Sequence, residues 1–439
     1  MTPIAFKRAS CAAWLSIALA AAGCGGGGDK GGATAPANSS DVVIVEHGPN
    51  AVSTWSEIAI NTINVPASAT GTAAEQRPID SVDLASVHLA IYDALMVISG
   101  SYKPFYAASA SSARVGESSQ PAAVAAAALG VLKGLYPARS SQYQGAYDTY
   151  IAAIAEDDAK ARGLATGAEV AAVVLAARAD DGRSVVLTPY VPGTAPGRFR
   201  GQNPVNRFLP AMKPFTLTSV SQFRPPAPPA LDSAAYATDL DETRALGGTV
   251  SSVRTAAQLE IGQFHTEPPF RFWPRNLRRF ATTDRSLADH ARLMAMLFVA
   301  QADATMACFE AKYVYEFWRP TSAITLAETD GNPLTTADPA WTPVVPTPNH
   351  PEYPAAHACA SASVAAMLRA FYGTDAIKFK FDSTVTGSTH HFTTTQAFVE
   401  EVRGARIYGG MHFRNSLVRG EELGEKVAQW VNGRHFQKN

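Results

Sequence analysis

The sequence predicts an all-α body, a helical bundle carrying one long Pro/Gly-rich excursion. Apolar residues recur at three- and four-residue steps along several stretches, capping residues or Pro stand where those stretches begin, and alternating strand patterns are scarce. The chain has 439 residues, 46% hydrophobic and only 17% charged, enough apolar material for a large core, which excludes disorder along its whole length. With 37 Lys and Arg against 38 Asp and Glu the net charge is -1. No global field draws such a chain to nucleic acid, so any anion site has to be built locally.

Taken in order, Lys7 and Arg8 precede an apolar run, Cys11 to Ala22, that leads into Gly23-Cys24. Residues 1–23 therefore read as a secretory signal peptide, too short to span a bilayer. A Cys directly after Ala-Ala-Gly resembles the bacterial lipobox, which implies a lipid anchor on Cys24; plain secretion is the alternative. Both put the chain outside the cytoplasm, periplasmic, anchored at the outer membrane or secreted. Residues 24–40 have the composition of a flexible tether. Asp80–Leu95 and Pro121–Tyr136 read as helices, and Thr166-Gly-Ala-Glu169 has capping-box spacing before a helix over Val170–Arg178. Leu187–Leu231, with Pro225-Pro-Ala-Pro-Pro229 near its end, cannot hold long helices and reads as an ordered excursion over the bundle or as a domain boundary. Helical texture resumes at Ala234 and dominates Ser286–Phe317, Ala356–Phe371, Thr395–Tyr408 and Leu417–Arg434. No internal repeat is evident, and after the leader no apolar run reaches the roughly 18 residues needed to cross a membrane. Cys308 and Cys359 are the thiols left in the folded body; they read equally as a disulfide in an oxidising compartment or as two small buried hydrophobes.

Three islands in the C-terminal half carry chemistry. In Lys312-Tyr-Val-Tyr-Glu-Phe-Trp-Arg319-Pro320 the cations stand seven apart, on one helical face about 10 Å apart along the axis, with Pro320 ending the helix. Taken alone, this island favours two cations snorkelling on a wet face; against that, the intervening aromatics make the segment apolar nearly all round, which would turn the cations toward something enclosed. In Pro348-Asn-His-Pro-Glu-Tyr-Pro-Ala-Ala-His357 three prolines hold a loop that delivers Ala355-Ala356-His357 to a helix start. Free backbone N–H groups there seat an anion, and a His there can exchange protons with it. His350 has the same two readings, core His or functional His, with less support. In Arg406-Ile-Tyr-Gly-Gly-Met-His412 the paired glycines permit a bend or close helix packing; alone, this is a helix with an ordinary Arg and His.

Together, Lys-x6-Arg-Pro, Pro-x-x-His and Arg-x5-His, in that order, resemble the signature of the vanadium-dependent haloperoxidase and type 2 phosphatidic acid phosphatase superfamily, most closely its soluble bacterial haloperoxidase-related branch. Asp239-Leu-Asp-Glu-Thr-Arg and Phe264-His-Thr-Glu-Pro-Pro extend the likeness. The resemblance implies the all-α bundle of that superfamily, with an N-terminal helical part at 41–256 and a catalytic part at 257–439. It implies that Lys312, Arg319, Arg406 and the Ala356 amide clasp the oxygens of vanadate, the implied cofactor, or of phosphate. His412 would be the ligand to vanadium or, in an acid phosphatase needing no cofactor, the nucleophile, and His357 the acid/base. Hydrogen peroxide and halide, or a phosphate ester, are the implied small-molecule partners. A catalytically weak anion-binding surface lipoprotein is a third reading.

Three positions depart from the family pattern. Ala355 replaces the usual Ser and removes a hydroxyl donor, a loss of about 1–3 kcal/mol at a charged oxygen. Ala405 replaces the Ser before Arg406. Ser416 stands where a family Asp would orient the vanadium-binding His, so a neutral hydroxyl, or Asn415, would hold that imidazole less firmly. Elsewhere Gly25–Gly28 lies in the tether and cannot be a phosphate loop. Asp180-Asp181 and Asp239-Leu-Asp-Glu242 read as caps or solvated charge before they read as cation ligands, and His390-His391 as exposed loop histidines before a metal site. His265, Phe270 and Trp318 line the site or merely pack.

Overall fold

The computed structural model describes residues 41–107, 117–251 and 253–439; the segments read as signal peptide and tether, with Cys24, lie outside the described residues. In chain order come strand β1 (Val42–Val43) and helices α1 (Ala51–Ile63), α2 (Ala73–Gln76), α3 (Asp80–Ser99), α4 (Gln120–Leu135), α5 (Ser140–Ala152), α6 (Asp158–Ala177) and α7 (Ala234–Gly247). Then come α8 (Ala256–Phe264), α9 (Pro269–Leu277), α10 (Leu287–Tyr315), α11 (Pro320–Thr325) and α12 (Ala356–Tyr372). Strands β2 (Ile377–Asp382) and β3 (Thr389–Phe392) precede α13 (Thr395–Tyr408) and α14 (Arg414–Arg434). The body is all-α in class, as the periodicity predicts. Its one sheet, β1-β2-β3, is small, and Ile377-Lys-Phe-Lys-Phe-Asp382 alternates buried and exposed in the way a half-buried strand must.

Helix α10 organises the molecule. Ser286 caps it by accepting from Asp289 N (3.1 Å), and nearly its whole length is buried against α3 on one side and α12 and α14 on the other. Helices α3 and α10 are long and apolar enough to cross a membrane, which the sequence reading did not anticipate; 94% of the most apolar window of each is buried inside the protein. They are apolar all round because other helices surround them.

Two helix boundaries correct the sequence reading. Thr166 is not a cap: α6 starts eight residues earlier, where Asp157 accepts from Lys160 N (2.7 Å), and Thr166 bonds back to Arg162 O (2.9 Å) in mid-helix. The helix carrying Lys312 ends at Tyr315, before Phe317 and Arg319. Glu316 takes a left-handed conformation (φ 47°), and the Pro/Gly-rich excursion pairs with the chain beyond it, through Phe199 N to Glu316 O (2.7 Å) and Trp318 N to Gly197 O (2.9 Å). Arg319 is thus the residue preceding α11 rather than a member of the Lys312 face. The excursion does lie on the bundle, and it places the second cation.

Close backbone approaches set the remaining geometry. A Cβ on Gly420 of α14 would sit 2.7 Å from Ala355 O, so α14 lies directly against the start of α12. A Cβ on Gly247 would sit 2.4 Å from Gly410 Cα, which brings α7 onto the turn before His412. Cys308 of α10 and Cys359 of α12 form a disulfide spanning 51 residues, which settles the open pair. Loop-closure entropy for that span gives stabilisation of about 2–4 kcal/mol. A Cys308→Ala/Cys359→Ala chain should lose that amount in a denaturant titration, and reductant should then have no further effect on it.

Candidate functional site

The site sits where α10, the 316–319 break, the start of α12 and the α13–α14 turn meet. Lys312, in the last turn of α10, is fully buried and donates to Pro351 O (2.8 Å) and Glu352 O (2.9 Å), leaving one of its three N–H groups unused. Arg319 donates from Nε to His350 O (2.8 Å), from Nη1 to Met411 O (3.0 Å) and His412 Nε2 (3.1 Å), and from Nη2 to the His350 ring (3.0 Å to Nδ1). Arg406, in the last turn of α13, donates to His265 O (3.1 Å) and to the weakly accepting Met411 Sδ (2.7 Å), and its buried Nε has no partner among the described residues. His412 lies in the turn between α13 and α14, not on a helix, because Gly410 (φ 75°) reverses the chain there.

Ala356 opens α12, and no side chain caps that helix start. Its first-turn amides and the positive end of the dipole therefore stay available to an anion. Ala356 and His357 both line a cavity of about 300 Å³ whose walls include Phe309, Trp273 and His350. His357 also lines a second cavity of about 300 Å³ with Arg406 and His265. Its imidazole makes no hydrogen bond among the described residues.

Electrostatics ties these groups together. Burial and the neighbouring Arg319 and Arg406 push the Lys312 ammonium well below its usual range, with Glu352 opposing. Burial, with Glu352 and Tyr313 opposing, takes Arg319 down to about 10; burial and Arg319 take Arg406 down to about 9. Burial and the same cations keep His357 and His412 neutral, well below the ordinary imidazole value. Three buried cations thus repel one another, with one buried carboxylate, Glu352, among them. Spare donors on Lys312, Arg406 and the α12 amides, in surplus positive charge, suit an oxyanion carrying several negative charges, so the residues present fit vanadate or phosphate.

Sequence reasoning missed Glu352. It is fully buried; its Oε1 lies 2.8 Å from His412 Nδ1 and accepts from Phe413 N (3.1 Å). The expectation that Ser416 or Asn415 would leave His412 loosely held is corrected here: a carboxylate orients the ring, supplied by the proline loop rather than by α14. Ser416 donates instead to Glu352 O (3.4 Å). With Nδ1–H on Glu352 and Nε2 accepting from Arg319, the ring presents its Nε2 lone pair toward the cations. One signal could have found Glu352, since it is the only acid between Asp338 and Asp375. His350, given little weight from sequence, also belongs to the site through its ring contact with Arg319. Phe270 is exposed and Trp318 is buried in a separate aromatic cluster with Phe317 and Phe413.

Residues 292–438 match the family described as the VCPO second helical-bundle domain. A stretch of 124 residues is 34% identical to vanadium chloroperoxidase of Curvularia inaequalis, covering 24% of this chain. Over residues 292–438 the chain is thus similar to the second helical-bundle domain of that family. The matched stretch spans only 20% of the length of that curated relative. Among solved structures, the first bacterial vanadium-dependent iodoperoxidase is similar at a TM-score of 0.69 and 21% identity, over 90% of this chain and 99% of that one. A holo-type bacterial vanadium-dependent chloroperoxidase is similar at 0.66 and 17%, over 88% and 97%. At those identities the likeness shows a shared haloperoxidase-type helical fold.

Two outcomes follow. Arg406→Ala should weaken orthovanadate and phosphate binding about 10- to 100-fold, read by calorimetry, as expected for one charge-assisted donor. Burial raises the Glu352 carboxyl from 4.5 to about 7. The folded state therefore holds its proton across that window while the unfolded state gives it up, so this group costs stability as pH rises from 4.5 to about 7. Glu352→Gln should accordingly gain stability relative to wild type across that interval and run parallel to it above, in denaturant titrations at each pH.

Proposed function

We propose that the chain is a vanadate-dependent haloperoxidase that oxidises halide with hydrogen peroxide. The observation that carries this reading is the buried triad of Lys312, Arg319 and Arg406, with donors to spare, around an imidazole whose Nε2 is aimed by a buried carboxylate. Vanadate bound there would supply the Lewis-acidic centre that polarises peroxide toward attack by halide.

The chain's own part is positioning and proton handling. Lys312, Arg319, Arg406 and the α12 amides neutralise and orient the oxyanion oxygens. Glu352 fixes the His412 tautomer, and Arg319 has to turn its Nη1 from His412 Nε2 to the oxyanion for that nitrogen to act as a ligand. His357, neutral and free of hydrogen bonds among the described residues, takes and returns the protons of peroxide. The missing Ala355 hydroxyl removes one donor but no cation. The Cys308–Cys359 disulfide supports an oxidising location, consistent with the export proposed from the N-terminus.

Purified protein supplied with orthovanadate, peroxide and bromide or iodide should halogenate a phenolic dye. His412→Ala should lower that rate about 100-fold or more. Phosphomonoester release inhibited by vanadate, without halogenation, would instead assign phosphatase chemistry to the same residues; tight vanadate binding with neither activity would assign binding alone.

A further inference from the structure

A second cluster, outside the oxyanion site, joins four titratable side chains end to end. His265 Nε2 and His390 Nδ1 lie 2.9 and 2.7 Å from the same oxygen, Glu401 Oε1, and His390 Nε2 lies 2.9 Å from Glu260 Oε2. His265 follows α8, Glu260 lies on α8, His390 on β3 and Glu401 on α13. Side-chain exposure rises from 2% at His265 through 15% at His390 and 19% at Glu401 to 39% at Glu260, so one end is interior and the other meets solvent. Phe264 stacks flat on the His390 ring at 3.7 Å, and Ser388 donates to the other Glu260 oxygen (2.6 Å), which fixes both partners. The pair His390-His391, read from sequence as exposed, thus has its first member built into a network.

The inner end reaches the oxyanion site. Arg406 donates to His265 O, and His265 and His357 line together both the larger cavity and a small one of about 10 Å³, close to the size of a single water. The charged and titratable groups facing His265 are Glu401 and Arg406 of α13, His390 of β3, His357 of α12 and Glu267, which is itself paired with Arg275.

Both ring nitrogens of His390 face carboxylates, so either the ring carries two protons or one of the carboxyl groups carries one. That proton stands one bond from Glu401 Oε1, which His265 shares.

The geometry points to a proton relay, Glu260–His390–Glu401–His265, that carries protons between solvent and the His357 side of the oxyanion site. This rests on the haloperoxidase reading for its use. Halide oxidation, H2O2 + X− + H+ giving HOX + H2O, consumes one proton per turnover. His265 Nε2 takes a proton from Glu401 as its other ring nitrogen gives one toward His357; His390 recharges Glu401, and Glu260, exchanging with solvent, recharges His390.

Glu401→Gln removes the shared titratable group while keeping hydrogen-bonding capacity. In the vanadate-loaded enzyme it should lower kcat for iodide oxidation about 10-fold or more above pH 7, leave KM for peroxide unchanged, and be rescued by added imidazole buffer. An unchanged kcat, or a loss that imidazole does not restore at any pH, would overturn the relay. A readout independent of turnover uses histidine-15N-labelled protein. Orthovanadate binding should shift the ring nitrogens of both His265 and His390 in wild type, and of His265 alone in Glu401→Gln. A wild-type His390 that does not respond overturns the relay. Wild type that fails to oxidise halide while His390 still responds refutes the haloperoxidase reading and leaves the coupling standing. Should Glu401→Gln not fold, His390→Asn serves in the same kinetic comparison.

Discussion

Three positive charges buried beside one another are the constraint on which this molecule turns. An isolated buried ammonium or guanidinium is costly, and Lys312, Arg319 and Arg406 add mutual repulsion to that cost, with Glu352 as the carboxylate set among them. The scaffold meets the cost with backbone. Carbonyls of His350, Pro351, Glu352, Met411 and His265 accept from the three cations, and all of them belong to irregular segments beside helix ends. The proline loop, the 316–319 break and the Gly409-Gly410 turn are therefore the solvation shell of the site. A multiply charged oxyanion would complete what these carbonyls begin.

The rest of the fold can be read as support for that shell. Helix α10 carries Lys312 through the centre of the protein, the disulfide ties α10 to α12, and Gly420 lets α14 close on the start of α12. The Pro/Gly-rich excursion, far from the site in sequence, pairs with residues 316–318 and so decides where Arg319 points. One departure from the family pattern has been absorbed in the same way, since Glu352 supplies from the proline loop the carboxylate that Ser416 cannot.

The helices were legible in the sequence because apolar periodicity depends on short spacings, whereas the cation triad was legible only through the three-part family resemblance, since Arg406 stands 87 residues from Arg319. Apolar periodicity gave the bundle, and the proline loop before His357 gave the helix start at Ala356. What escaped depends on contacts between distant residues. Glu352 and His412 are 60 residues apart, and His265 and Glu401 are 136 apart; no periodicity or motif encodes such pairs. The end of α10 escaped for a related reason. Tyr313 to Trp318 contains no Gly or Pro to mark a stop, and the tertiary pairing with Gly197 and Phe199 ends the helix there. Likewise Thr166 and Glu169 have the spacing of a cap, but an upstream Asp157 starts the helix first.

The account stands or falls on where an oxyanion binds. The most direct measurement is a crystal structure of the protein soaked with orthovanadate, with the metal located by its anomalous scattering. The account predicts a single vanadium bonded to His412 Nε2, its oxygens on Lys312, Arg319, Arg406 and the first amides of α12, with Arg319 turned away from the imidazole. Vanadium elsewhere in the molecule, or none at full soak while Arg319 still covers His412 Nε2, would contradict it.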